Sequence, residues 1–303
     1  MTASSPFPHA VFGVSGRTGA AAADALLRAG QPVRVVVRDP AQGRPWADRG
    51  AEVAVADLTD LASMTRALSR VRGAYVVSPQ YYNREDLFDM AGLIAHTTAR
   101  AARAAEVPRL VALSSVGADR ESGTGWIGMN RSFEQRLGDA GVSTVFLRAA
   151  YFMENWLPMV GQAIRSAVLP TFLPTFLAPP QRALPMVATV DVGSAAAALL
   201  QEQWTGNRIV ALCGPRDYAP DDVAAAVAAA LGKPVGVAVL PEAQWPEALA
   251  GAHFSSAALA GFTEMTRGLN CAHIDFKSAP GVEERTGTTP LEQVIAELVQ
   301  RQR

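Results

Sequence analysis

Six short apolar runs separated by amphipathic stretches fill the first 150 residues, and this alternation admits few folds. The runs are Ala10–Gly13, Val33–Arg38, Glu52–Val55, Gly73–Ser78, Arg109–Ser115 and Ser143–Leu147. Helical stretches such as Gly19–Ala29, Leu61–Val71, Asp86–Ala105 and Gly128–Ala140 lie between them. Parallel strands need a crossover, usually a helix, and read as continuous apolar runs because both faces are covered. The pattern therefore predicts an α/β protein with a doubly wound parallel sheet. Leu87, Met90, Leu93, Ile94 and Thr97 recur at helical spacing, which predicts one buried face.

After Leu147 the alternation breaks. Leu169–Pro180, LPTFLPTFLAPP, is too rich in proline for a helix interior. It reads either as a surface loop or as an apolar flap over a pocket, given Phe172, Phe176 and three leucines. Asp191 is expected to cap an alanine-rich helix running to Leu200. A strand at Arg208–Leu212, a helix at Pro220–Leu231 ended by Gly232, a strand at Val235–Leu240 and a last helix near Leu291–Val299 complete the reading. From about Pro241 to that last helix the periodicity is weak. Residues 1–150 are expected to form the sheet domain and 151–303 a smaller C-terminal α/β subdomain. Part of the later chain is free to return to the first unit, and with no linker between them the two should pack together.

With 303 residues, 49% of them hydrophobic, and a formal net charge of −1, the chain can bury a sizeable core and is not of disordered composition. It lacks the basic footprint of a nucleic-acid binder. No apolar run reaches the roughly 18 residues that span a bilayer, and the start, MTASSPFPHA, lacks the basic and apolar regions of a signal peptide. Cys213 and Cys271 form neither a disulfide framework nor a CxxC pair. A cytoplasmic protein without a membrane partner is expected. His9, His96, His253 and His273 lack zinc spacing, so no metal is expected. Ser114-Ser115 is no nucleophile elbow.

The chemistry begins at Gly13-Val14-Ser15-Gly16-Arg17-Thr18-Gly19, directly after the first strand and opening the first helix. Glycines there allow a tight turn, close approach of a pyrophosphate and close helix–strand packing. The phosphates then meet backbone N–H groups at the positive end of the helix dipole. The strand–turn–helix setting therefore marks a Rossmann-type dinucleotide site, although the spacing is GxxGxxG. The second strand ends in Arg38, followed by Asp39. A guanidinium can pair in bidentate fashion with a 2′-phosphate that a carboxylate would repel, and Arg17 can add a second positive group. This favours NADP(H) over NAD(H). In the opposite reading, Arg38 is a solvated strand end and Asp39 serves the ribose.

These segments resemble the NmrA-like branch of the atypical short-chain dehydrogenase/reductases. Further matching pieces are Ala56-Asp57-Leu58-Thr59-Asp60, Val77-Ser78-Pro79, Leu113-Ser114-Ser115-Val116-Gly117, Phe133-Glu134, and Leu147-Arg148 through Phe152-Met153-Glu154-Asn155. Leu212-Cys213-Gly214-Pro215 followed by Tyr218-Ala219-Pro220 matches late in the chain. The resemblance implies a Rossmann domain completed by a smaller subdomain, with the substrate cleft between them. It further implies that Asp57 and Leu58 lie against the adenine, and that Ser78 and Pro79 border the ribose and nicotinamide. Asp57 also suits capping of the helix that begins near Asp60.

The Tyr-x-x-x-Lys pair of typical short-chain dehydrogenases is missing. Four residues after Tyr75, Tyr81, Tyr82, Tyr151 and Tyr218 stand Pro79, Glu85, Asp86, Asn155 and Asp222. The family's lysine position falls at Asn130, which can hydrogen-bond a nicotinamide ribose but cannot activate a phenol. Reducing an ordinary ketone creates a strongly basic alkoxide, whereas a quinone-like acceptor gives a phenolate-like product with a pKa near ~10. The acceptor is therefore expected to be aromatic or conjugated, with Tyr81, Tyr82 and Tyr151 as candidates to line its pocket and Asn155 to reach nicotinamide or substrate. Two functions stand side by side. One is an NADPH-dependent reductase of a quinone-like or conjugated small molecule. The other is a non-catalytic redox sensor acting through a protein partner. A homodimer is left open.

Overall fold

The computed structural model describes residues 7–171, 182–276 and 280–302. The chain begins with β1 (His9–Phe12), α1 (Arg17–Arg28), β2 (Val33–Val37), α2 (Arg44–Ala47), β3 (Glu52–Val55), α3 (Leu61–Leu68) and β4 (Gly73–Val76). Next come α4 (Leu87–Ala104), β5 (Arg109–Ser115), α5 (Ile127–Gly138), β6 (Ser143–Ala149), β7 (Tyr151–Phe152), α6 (Leu157–Ser166) and β8 (Val168–Thr171). β9 (Leu184–Val187), α7 (Thr189–Gln201), β10 (Arg208–Cys213), β11 (Asp217–Tyr218), α8 (Pro220–Leu231) and β12 (Gly236–Val239) follow. The chain closes with α9 (Trp245–Ala248), α10 (Ser256–Asn270), β13 (Val282–Thr286) and α11 (Leu291–Gln302).

Eight strands form one sheet in the order β13-β10-β6-β5-β4-β1-β2-β3, with every pairing parallel. Alternate side chains of each strand point to opposite faces, and both faces are apolar. Val11, Val35 and Val145 meet α1 and α7 on one side; Phe12, Val36 and Phe146 meet α3, α4 and α5 on the other. Full burial of one such aliphatic side chain contributes about 1.5–3 kcal/mol. The strand order reverses between β1 and β4, and a doubly wound sheet binds ligands outside the carboxyl ends of the strands at such a point.

Two strands from beyond residue 151, β10 and β13, extend this sheet, and α7 covers its α1 face. A second layer holds the three-stranded β11-β9-β7 and the two-stranded β12-β8 sheets with α6, α8 and α11, around Trp156, Leu169, Val223 and Ile295. The proline-rich stretch divides: Leu169–Thr171 belongs to β8, and 172–180 lie outside the described residues. Among the described residues no helix is long and apolar enough to cross a membrane, and no group of three or more metal-ligating side chains forms.

Three local expectations change. Leu93 is exposed and Met90 half-buried, because α4 buries Leu87, Ala91, Ile94, Ala95 and Thr98, a stripe that passes them by. Asp191 is not an N-cap. α7 starts at Thr189, whose N–H donates to the Glu154 carboxylate at 2.9 Å, while Asp191 accepts from Thr289 N and Oγ1, each at 2.9 Å. The stretch with weak periodicity holds α10, a 15-residue helix capped by Ser255.

His9 lies in β1 with no exposed surface, and neither ring nitrogen has a hydrogen-bond partner among the described residues. Burial, with the nearby Arg72 and Arg109 charges, lowers its pKa from 6.5 to about 4. The unfolded chain therefore takes up a proton between those values while the native one does not. Stability is complete above pH 6.5 and falls by about 3 kcal/mol as the pH drops to 4. Chemical denaturation of the parent across that range is expected to show this loss, and His9→Leu to flatten it.

Candidate active site

At the switch point, the turn after β1 is shaped by two glycines. Gly13 sits at φ +70°, and a Cβ there would meet Val77 Cγ1 at 2.5 Å. A Cβ at Gly19 would lie 2.3 Å from the Gly13 carbonyl oxygen, so α1 begins in direct contact with the turn. The N-cap of α1 is Gly16, with no side-chain cap and no acidic residue in the first turn. Ser15, Gly16 and Arg17 are exposed and Thr18 is buried. Such an end presents N–H groups and a positive dipole to an anion.

On the β2 side, Arg38 is exposed at the strand end. Asp39 accepts the Ala41 N–H at 2.9 Å, so its carboxylate caps the turn that follows. Asp57 accepts from Thr59 N and Oγ1, both at 2.8 Å, and these bonds hold its pKa below the ordinary value, with the Arg38 charge adding to them. Asp60, not Asp57, caps α3. Leu58 is half-buried beside Asp57. Arg38 and Asp57, both exposed and close enough for the Arg38 charge to act on the carboxylate, therefore share one edge of the site.

On the β4 side, a cavity of about 1190 Å³ runs from the carboxyl ends of the strands into the second layer. That exceeds the usual range of roughly 300–1,000 Å³ for a small-molecule site and leaves room for two molecules side by side. Arg17, Thr18, Ser78 and Pro79 line its inner end. Ser78 Oγ is buried without a partner among the described residues, a donor and acceptor awaiting a ligand. Asn130 lines the cavity from α5, one turn before Glu134. Glu134 pairs with Arg148 through two bonds of 2.8 and 2.7 Å and accepts the Ser114 hydroxyl at 2.6 Å. This ties α5 to β5 and β6 and fixes where Asn130 stands.

Tyr151 and Asn155 face the cavity from the segment after β6. Burial pushes the Tyr151 phenol up in pKa, partly offset by a hydrogen bond with Asn155. Burial raises Tyr82 in the same way. Burial therefore disfavours ionisation of both phenols. Tyr82 stacks on Trp126 with centroids 3.8 Å apart, and Phe254 and Phe262 meet Trp126 edge-on at 5.2 and 5.4 Å. The Trp126 indole N–H donates to Ala258 O at 2.8 Å, and the Glu85 carboxylate accepts the Ser256 and Ala257 N–H groups at the start of α10. The aromatic wall is thus clamped between the 82–86 loop and α10.

The cradle at Gly13 and Gly19, the uncapped helix and the partnerless Ser78 fit a nicotinamide dinucleotide. The sequence profile of the NmrA-like family matches residues 9–277. The chain belongs to that family. Among its relatives, NAD(P)H azoreductase of Xenophilus azovorans is 28% identical over 244 residues, 80% of either chain. Quinone oxidoreductase 2 of Escherichia coli (strain K12) is 25% identical over 250 residues, 79% of this chain and 80% of its own. The solved NADPH-dependent quinone oxidoreductase of E. coli, complexed with NADPH, has a TM-score of 0.78 at 23% identity, covering 96% of this chain and 99% of that one. The Citrobacter sp. triphenylmethane reductase has a TM-score of 0.76 at 21% identity, covering 97% and 100%. Both share the fold of this chain.

The site residues expected from the sequence divide by place. Arg17 and Thr18 of the glycine turn line the cavity together with Ser78, Pro79, Asn130, Tyr151 and Asn155, whereas Gly13, Ser15, Gly16, Gly19, Arg38, Asp57 and Leu58 do not. Tyr81 does not line it; its neighbour Tyr82 does. Sequence reasoning missed Trp126, Phe254 and Phe262 as one wall, since only the packing of α10 brings them together.

Proposed function

We propose that this NmrA-like protein is an NADPH-dependent reductase that passes hydride to a quinone-like or otherwise conjugated small molecule. The observation that carries the reading is one continuous cavity, polar at the switch point and aromatic at its far end. A bound reduced nicotinamide supplies the hydride. The N–H groups opening α1 and the Arg17 side chain bind the pyrophosphate, and Arg38 takes the 2′-phosphate at the edge it shares with Asp57. Ser78 and Asn130 hydrogen-bond the ribose and nicotinamide and hold the reacting face toward the wall.

Tyr82 and Trp126 exclude water and stack an extended π system. Tyr151, oriented by Asn155, donates a hydrogen bond to an acceptor oxygen as negative charge grows there. A phenol with a raised pKa gains nothing by surrendering its proton to a phenolate-like oxygen of pKa near ~10, so the product takes its proton from solvent as it leaves the cavity. Such a site is suited to acceptors that need little acid catalysis.

Two measurements test this. Stopped-flow mixing with NADPH and a naphthoquinone is expected to consume the cofactor; binding without consumption across a panel of conjugated acceptors would overturn the assignment. Arg38→Asp should weaken NADPH by about 100-fold while changing NADH far less, because it removes a charge-assisted pair and places a carboxylate against the phosphate. Titration calorimetry of the two coenzymes reads that ratio.

A further inference from the structure

The two ends of the cavity differ in charge. Among the described residues, its lining contains one basic and one acidic side chain. Arg17 stands on the glycine turn. Glu247 stands on α9, in the far part of the cavity, exposed to solvent. α9 is anchored by Trp245, 1% exposed, whose indole N–H donates to Leu240 O at 2.9 Å. The Trp245 ring meets Phe262 at 6.1 Å, so the carboxylate's helix abuts the aromatic wall. Gln162, Gln244 and Asn155 add uncharged amides to the lining.

We propose that the acceptor end selects conjugated molecules by charge, favouring planar cations over neutral acceptors and disfavouring anions, with Glu247 as the specificity-determining residue. The proposal rests on the reductase reading of this cavity. Aromatic faces attract cations through their quadrupole, and a single carboxylate at the solvent-facing mouth adds to that preference at low salt. The chemistry agrees. When a cationic acceptor receives hydride, a C–H bond forms at its electron-poor carbon, the C–H bond at the nicotinamide breaks, and the positive charge passes to the nicotinamide ring. No proton is taken up, so the lack of a competent acid costs nothing. The product is neutral, loses its attraction to Glu247 and the wall, and leaves.

The test compares three probes: N-methylacridinium, a neutral naphthoquinone and a naphthoquinone sulfonate. Binding is measured by fluorescence on protein saturated with a tetrahydro analogue of NADPH, which has an uncharged ring and cannot give hydride. The expected order is cation tightest and anion weakest. Glu247→Gln should weaken N-methylacridinium by about three- to tenfold at low salt, Glu247→Lys should weaken it further and tighten the sulfonate, and both effects should shrink as salt rises. In turnover, Glu247→Gln should raise KM for the cation without lowering kcat, the pattern of a group that binds substrate and not the transition state. Equal binding of cation and anion by the parent, or a cation affinity unmoved by Glu247→Gln at low salt, overturns the proposal. If the cation binds as expected but no acceptor is reduced, charge selection stands and the reductase reading fails.

Discussion

Glu134→Ala is expected to lower unfolding free energy by about 3 kcal/mol and to cut turnover at the same time. Arg148 and Glu134 are 12% and 11% exposed and meet through two parallel bonds, a bidentate pair. Removing the carboxylate leaves a nearly buried guanidinium whose remaining acidic neighbour is Asp119, 3.6 Å away and half exposed. Breaking a buried pair from one side typically costs 3–5 kcal/mol, and the surviving Asp119 contact holds the value to the low end. The Ser114 hydroxyl loses its acceptor too. Because Asn130 stands one turn earlier on the same helix, release of that clamp lets the amide wander from the nicotinamide end. Urea unfolding and steady-state kinetics read the two effects. Glu134→Gln, which keeps the shape and two hydrogen bonds, should recover part of the stability and more of the turnover. A variant as stable and active as the parent would remove the positioning role.

The second large effect concerns Gly19. An alanine there places a methyl 2.3 Å from the Gly13 oxygen and 2.5 Å from the Phe12 oxygen, both backbone atoms of the turn. Neither can swing aside as a side-chain end would, so α1 must retreat by about an ångström to reach ordinary contact. The same movement carries away the N–H groups aimed at the pyrophosphate. Misplacements of that size cost on the order of 100-fold where geometry carries the interaction. Gly19→Ala should therefore weaken NADPH by about 100-fold while circular dichroism shows the fold retained. Unchanged affinity would mean that the phosphates do not sit on this turn.

The part of the molecule that binds a dinucleotide was readable before any coordinates, for physical reasons. Parallel strands covered on both faces leave unbroken apolar runs, and a close helix–turn contact leaves glycine where nothing else fits. Arg38 was legible because a strand end exposes it. The acceptor end was not. Trp126, Phe254 and Phe262 stand far apart in sequence, and only α10, whose alanines gave weak periodicity, brings them together. Tyr82 replaces Tyr81 because the chain turns there, with Arg84 N–H on Tyr81 O, and Tyr82 stacks on Trp126. Glu134 and Arg148 stood in segments that resembled the family, yet nothing in either segment announces that the two pair. Their signal was a charge set beside buried Phe133 and Leu147. Asp191 failed as a cap because Glu154, 35 residues upstream, already held the Thr189 N–H.

The central claim is that an NADP-type dinucleotide sits where α1 opens, with its 2′-phosphate on Arg38. Titration calorimetry with NADPH and NADH on the same preparation tests it most directly. NADPH is expected to bind saturably and one to one, tighter than NADH by about tenfold or more at low salt, with the gap closing as salt screens the phosphate. Equal affinities, or no heat from either coenzyme at millimolar concentration, would contradict it.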